Sequence, residues 1–216
     1  MLNAGYSSVN SIPISQLSIT NYPMPTQHLL PELQSYLDQL AAIDGQVDAL
    51  LANITEEQLN WRPGPEQWSV GECVDHLTVT GTRLLERIEP AIANARSRGR
   101  FADGPFRYGP INRWFARTLD EGETRKVKTF PIYVPSASNI GERVAVEFGQ
   151  FHQRLAEAIG SANGVDLKKV KVRSPAMPLL NLSLGAWFAA TLAHERRHIA
   201  QARRVMKLGG FAEISG

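Results

Sequence analysis

The chain has 216 residues, of which 43% are hydrophobic, so it can bury a sizeable core, and a single domain is the simplest count. Its formal net charge of +2 is too small to indicate a nucleic-acid partner. The single cysteine, Cys73, excludes an internal disulfide framework and fits a reducing, cytoplasmic compartment. No apolar run approaches the roughly 20 residues of a membrane span, so we expect no membrane partner.

Residues 1–27 precede the first predicted helix and carry no charged side chain. Ser, Asn, Thr and Pro interrupt every apolar run in this segment. A signal peptide needs a basic start and a continuous apolar centre, and a transit peptide needs arginines, so neither pattern fits. We therefore interpret residues 1–27 as an extended N-terminal arm or tail.

Four long segments show apolar residues at helical spacing. The first runs from 28 to 54, and the second runs from the capping box of Ser69 and Glu72 to about Ser97. The third is predicted from Ser138 to about 159. The last is predicted from Ser183, as its N-cap, to about 207. A further capping box, Thr55 with Gln58, opens a short helical turn.

The connections complete the predicted fold. Residues 99–137 form a long passage, rich in Gly and Pro, with a short helix at about 111–118, and a connection of this length either crosses a bundle or covers a site. Residues 170–174 alternate and can form one short strand. We predict an all-α, four-helix bundle over residues 28–210, in up-down-down-up order with the long crossover between helices 2 and 3. Residues 211–216 are expected to be a C-terminal tail.

The last predicted helix carries the pentapeptide HERRH at residues 194–198. Because a turn takes about 3.6 residues, His194 and His198 share one helix face and both imidazoles can reach one metal ion. Stepping about 100° per residue puts them opposite Arg196 and Arg203, so we predict that they point toward the core. Two core histidines satisfied by hydrogen bonds, or a half-exposed pair that binds nothing, remain alternatives.

The pentapeptide also fits the H-E-x-x-H pattern of zinc peptidases. Those enzymes take a third ligand from downstream, but the 18 residues after His198 contain no histidine. We therefore expect the third ligand upstream. His76 lies on a flank of the second helix, and antiparallel packing would bring it level with His198. His152 is interpreted as structural or as support for a ligand, with a role as a ligand or as a surface residue as the alternatives. Cys73 is interpreted as a small core residue, with an extra ligand or a reactive thiol as the alternatives.

Two motifs carry a resemblance to a known family: WSVGECVDHL at residues 68–77 and HERRHIAQARRV at residues 194–205. Together they resemble the DinB superfamily of metal-binding four-helix bundles, over roughly residues 28–210. The resemblance implies that His76, His194 and His198 hold a divalent metal, zinc or nickel. It also implies an activity as a transferase or isomerase that depends on a thiol cofactor, namely bacillithiol, mycothiol or glutathione. Homodimers are common in this superfamily, so the resemblance implies a possible homodimer.

The expected chemistry follows from three imidazole ligands. Such a set leaves the ion at least one open position, as in catalytic zinc sites, for a water or a thiolate. We therefore expect a metal-dependent enzyme that acts on a small-molecule substrate, first of all as an S-transferase with a low-molecular-weight thiol. A hydrolase that uses bound water, or a non-catalytic metal-stabilised stress-response module, are the alternatives. Glu195 is the candidate general base, or orients a ligand.

Overall fold

The structure, a computed structural model, describes residues 28–119, 129–135, 139–141 and 143–214. The predicted N-terminal arm therefore lies outside the described residues. Most of what is described is α-helical, which confirms the predicted class. The elements are, in order, α1 (Pro31–Leu51), α2 (Glu56–Asn60), α3 (Val70–Ser97), α4 (Pro110–Thr118), a 3-10 turn (Pro131–Tyr133), α5 (Arg143–Ser161), β1 (Lys171–Arg173), β2 (Asn181–Ser183), α6 (Leu184–Met206) and α7 (Gly209–Glu213).

Capping boxes begin both α2 and α3, as the sequence predicts. The Thr55 hydroxyl accepts from the Gln58 backbone N–H, and the Gln58 side chain accepts from that of Thr55. Ser69 and Glu72 make the same reciprocal pair at the start of α3. Each pair satisfies two backbone donors that a helix start would otherwise leave open. The start of α3, the helix that carries His76, is fixed in this way.

The third long helix begins later than predicted. The predicted start, Ser138, lies outside the described residues, but residues 139–141 are not helical and α5 begins at Arg143. The Asn60 side chain accepts from the backbone N–H of Ile140 at 2.6 Å and donates to its carbonyl at 3.0 Å. These bonds occupy the backbone groups of Ile140 that a helix would use, which explains the later start.

A small hairpin precedes α6. The predicted strand is present as β1, and it pairs antiparallel with β2 so that Val172 lies opposite Leu182. Ser183 ends β2 and precedes α6, yet its side chain does not cap the helix. Its hydroxyl donates to the Lys168 carbonyl at 2.9 Å and accepts from Lys171 Nζ at 2.7 Å. Ser183 is the N-cap residue of α6, as predicted, but the expected side-chain cap is not made, because its hydroxyl bonds to groups of the hairpin connection.

The four long helices pack in a simple pattern. Helix α3 contacts α5 and α6, and α1 contacts the same two helices. At Gly81 of α3 an added Cβ would lie 2.1 Å from Cζ of Phe151 on α5, so this crossing depends on glycine. The helices that carry His76 and the pentapeptide are therefore direct neighbours. Across the described part of the chain, no helix has the length together with the apolar composition needed to cross a bilayer.

Candidate metal centre

The structure brings together the three histidines that the sequence selects. His76 of α3 meets His194 and His198 of α6, and one nitrogen from each lies within 4.8 Å of the others. The imidazole centroids are 4.5 to 5.1 Å apart. Here these three side chains are called the histidine triad. Residues separated by 118 positions thus converge between two helices.

The nitrogen positions of the histidine triad fit a metal ion. Nε2 of His76 and Nε2 of His194 are 3.3 Å apart. Two nitrogen ligands of one tetrahedral zinc, each about 2.0–2.1 Å from the ion, lie about 3.3–3.4 Å from each other. Nδ1 of His198 is buried and has no hydrogen-bond partner among the described residues. An unsatisfied buried nitrogen calls for an ion or a water.

A backbone carbonyl sets the tautomer of His76. Nδ1 of this ring donates to the carbonyl of Tyr133 at 2.6 Å, which leaves the lone pair on Nε2, the atom that faces His194. Metal-bound histidines usually make such a second hydrogen bond. Tyr133 belongs to the 3-10 turn near the end of the long connection, so this turn lies against the site. Sequence reasoning missed Tyr133 because a carbonyl contact leaves no side-chain signature.

The environment keeps the histidine triad neutral. Burial lowers the pKa of His76 to about 4, against a smaller opposing effect of its Tyr133 hydrogen bond. Burial, then His76 and then Arg197 lower the pKa of His194 to about 3. Burial and the two other imidazoles hold the pKa of His198 well below its usual range. Since a metal binds the unprotonated ring, the donors are ready at neutral pH.

Trp68 forms an aromatic wall of the site. Its ring centroid lies 4.7 Å from that of His76, and it stacks on His198 at 5.7 Å with 28° between the planes. Trp68 directly precedes Ser69, the N-cap of α3, so the capping box also places the indole. No spacing rule in the sequence indicated this residue, although it belongs to the first of the two motifs.

The face of α6 that is buried differs from the prediction. His194 and His198 were predicted to point toward the core, whereas both are only partly buried and lie at the edge of the buried face, toward α3. The fully buried stripe consists of Phe188, Leu192, Glu195, Ile199 and Ala202. Arg196, predicted on the solvated side, is partly buried and donates to Gln39 of α1 at 3.0 Å. Contacts with both α1 and α3 widen the covered surface of α6.

Glu195 lies in a second buried cluster. Its Oε2 is 3.5 Å from Nε2 of His152 on α5, whose Nδ1 is 2.6 Å from Oδ1 of Asp44 on α1. Burial by itself lowers the pKa of His152, but Glu195 and Asp44 outweigh it and raise that pKa to about 9. This raised pKa favours the protonated form of His152 at neutral pH. The supporting role of Asp44 was not predicted, and the general-base role of Glu195 stays a prediction.

These features define a class: helical proteins in which neutral imidazoles from two neighbouring helices form a candidate metal site. The sequence profile of the DinB superfamily matches residues 39–202, so the chain belongs to that superfamily, and the predicted family is confirmed. The uncharacterized protein YuaE of Bacillus subtilis (strain 168) is 25% identical over 162 residues, which are 72% of this chain and 87% of that protein. No solved structure matches the chain.

Proposed function

We propose that this DinB protein binds one divalent metal ion, zinc or nickel in the first place, through the histidine triad. The observation that carries the proposal is the 3.3 Å separation of the Nε2 atoms of His76 and His194, which suits two ligands of one ion. The lowered pKa values of all three imidazoles support it, because protons do not compete for the lone pairs near neutral pH.

The same proposal includes a four-helix bundle of α1, α3, α5 and α6 in up-down-down-up order. Tyr36, in the second turn of α1, donates to the carbonyl of Gly185 at the start of α6, which supports a parallel pair. Arg96, in the last turn of α3, donates to the carbonyl of Ser161 at the end of α5, which supports another. The histidine triad joins the start of α3 to the second half of α6, as in an antiparallel pair.

Transfer involving a low-molecular-weight thiol is the reaction that we propose first, on a small-molecule substrate. A divalent ion held by three imidazoles retains an open position, on which it lowers the pKa of a thiol or of water. Burial raises the pKa of Cys73, the chain's only cysteine, so this thiol is inert and any reactive thiolate must come from a separate molecule. Trp68 and the 3-10 turn at Tyr133 both contact His76 and would limit the access of water from their side of the site.

Hydrolysis is the second enzymatic candidate, and a non-catalytic, metal-stabilised stress-response module is the third. Hydrolysis needs a base near the attacking water. Glu195, the candidate base, is paired with His152 instead, and this pairing is why the hydrolase stands second. For the third candidate, the location of the histidine triad between α3 and α6 would allow a metal to clamp two helices.

The metal proposal is tested with protein purified without an affinity tag. We expect elemental analysis to find one zinc or nickel per chain, and cobalt-loaded protein to show d–d absorption bands. His76→Ala should lose the metal and the bands, whereas the control His28→Ala, at an exposed position, should keep both. Equal metal contents in the two variants would contradict the proposed ligand set.

The same variant, His76→Ala, distinguishes the enzymatic proposals from the non-catalytic, metal-stabilised module. If metal-free His76→Ala stays folded, as followed by circular dichroism, the site is open and the enzymatic proposals gain; if it melts, the clamp gains. Thiol transfer is then tested by titrating glutathione, bacillithiol and mycothiol into cobalt-loaded protein. The expected result is a new sulfur-to-cobalt charge-transfer band with one of them. A spectrum that none of these thiols changes would argue against the transferase.

A further inference from the structure

Asp44, His152 and Glu195 form a buried ion chain that joins three helices. Asp44 comes from α1, His152 from α5 and Glu195 from α6, and each is almost completely buried. The two ring nitrogens of His152 face the two carboxylates, at 2.6 and 3.5 Å. Neither carboxylate oxygen of Glu195 accepts a hydrogen bond from a described residue, and its contact with Nε2 of His152 at 3.5 Å is an ion pair. His152 is thus the group that holds the end of Glu195.

Stability does not explain why this cluster is ionic. The imidazole of His152 lies against Phe148, at 4.0 Å between centroids, and near Phe151, at 5.1 Å. Removing charges from water into such an apolar shell is costly, and well-packed apolar residues of similar volume are often as stable or more so. Polar groups in a core do supply one property that apolar packing lacks, which is a specific relative orientation of the helices that they join.

Glu195 links the orientation of α6 to the histidine triad, because it lies on the same helix as His194 and His198. At about 100° per residue, its side chain leaves α6 about 100° from that of His194 and about 60° from that of His198. One side of the helix is therefore held by α5 and α1 while the adjacent side faces α3. A 20° rotation of α6 would move an atom about 6 Å from its axis by about 2 Å. Ligand distances tolerate only about 0.2 Å.

We propose that His152 is a positioning residue for the metal centre. Anchored by Asp44, it holds Glu195 and thereby fixes the rotation of α6 at which His194 and His198 meet His76. This inference rests on the proposed function, since it takes the histidine triad as a metal site. It also gives Glu195 a role that needs no contact with substrate.

The first test replaces the ion chain by apolar residues of similar size, Asp44→Leu/His152→Leu/Glu195→Met. We expect this triple variant to fold, because it leaves no buried charge unpaired. In metal-free protein the NMR signals of the His194 and His198 imidazoles should shift or split. Cobalt affinity should fall by about 10- to 100-fold, the usual effect of losing support behind a ligand, and the d–d bands should change.

Two control variants distinguish an effect on the position of α6 from a general loss of stability and from a loss of charge. Leu155→Ala, also in the core of α5, removes a buried side chain and should lower the unfolding temperature, with cobalt affinity within about twofold of wild type. Asp44→Asn/Glu195→Gln removes both negative charges but keeps polar atoms facing His152, and it should also retain the imidazole signals and most of the affinity. A loss in this double variant as large as that in the triple variant would make charge the cause and overturn the proposal.

The remaining outcomes of these experiments also test the positioning role of His152. Unchanged imidazole signals and cobalt affinity in the triple variant would refute the positioning role. If the triple variant does not fold, Glu195→Asp replaces it, because it withdraws the carboxylate by one methylene and keeps the charge; the same shifts are then expected in smaller size, and their absence refutes the role. If wild-type protein binds no cobalt, the proposed function fails. The imidazole signals of metal-free protein still show in that case whether the ion chain fixes the rotation of α6.

Discussion

The indole of Trp68 stacks on the imidazole of His198, with ring planes 28° apart and centroids separated by 5.7 Å. The same indole lies 4.7 Å from the ring of His76, so it contacts rings from both helices that form the histidine triad. A chromophore at this place responds to events at the triad, because a bound ion changes the charge and the mobility of both imidazoles. Trp68 therefore offers a direct optical report of binding.

Cobalt or nickel should quench the tryptophan emission of the protein, since both ions accept excitation energy at short range. Trp68→Phe should abolish most of this quenching although three of the four tryptophans remain. Trp61→Phe is the matched control, because Trp61 packs against Phe211, 6.0 Å away between centroids, and its loss should leave the quenching intact. Fluorescence titration makes the measurement, and equal quenching in the two variants would contradict the placement of Trp68.

The crossing of α3 and α5 should not tolerate a methyl group at Gly81. An added Cβ would lie 2.1 Å from Phe151, so Gly81→Ala should destabilise the protein by about 1–3 kcal/mol or more, as overpacked cores do. Gly45→Ala is the control, because nothing lies within 4 Å of its added Cβ, and it should stabilise α1 by about 0.5–1 kcal/mol. Urea unfolding compares the two, and a neutral Gly81→Ala would show that the helices are further apart.

Alkaline pH should weaken the fold through His152. Its folded pKa of about 9 lies above the ordinary 6.5, so the folded state binds the proton more tightly. This contribution is fully present below pH 6.5 and is lost as the pH rises through 9, in total on the order of 3 kcal/mol. Urea unfolding between these pH values should show the decline in wild type. The apolar triple variant should show a flat profile there, and a decline of equal size would point to another group.

Mild acid should weaken the metal-free protein through the histidine triad. The folded pKa values of its members lie below the ordinary 6.5, so the unfolded chain takes up protons first. Their contribution is full above pH 6.5 and falls with the pH, by about 1.4 kcal/mol per pH unit for each histidine. His76→Gln should therefore reduce the slope between pH 6.5 and about 5, above the usual carboxylate range. Identical slopes would mean that His76 is solvated.

The sequence alone predicted those features that depend on neighbours in the chain. Capping boxes and apolar periodicity act within a few residues, and they predicted the start of α3 at Ser69 and its end near Ser97. Features controlled by distant residues were missed. The start of α5 depends on Asn60, 80 positions before Ile140, and β2 depends on pairing with β1. No local pattern contains that information.

The candidate site was likewise predicted by the sequence only in those features that depend on neighbours in the chain. The spacing of His194 and His198 guarantees that both rings share one side of a helix, since backbone geometry alone fixes their angle. The sequence also fixes that Glu195 projects to a different side. Which neighbour meets each side was decided only by the tertiary structure, which places His76 against the histidines and His152 with Asp44 against Glu195. The rotation of a helix about its own axis is free until other helices pack on it, and that packing is a property of the whole chain.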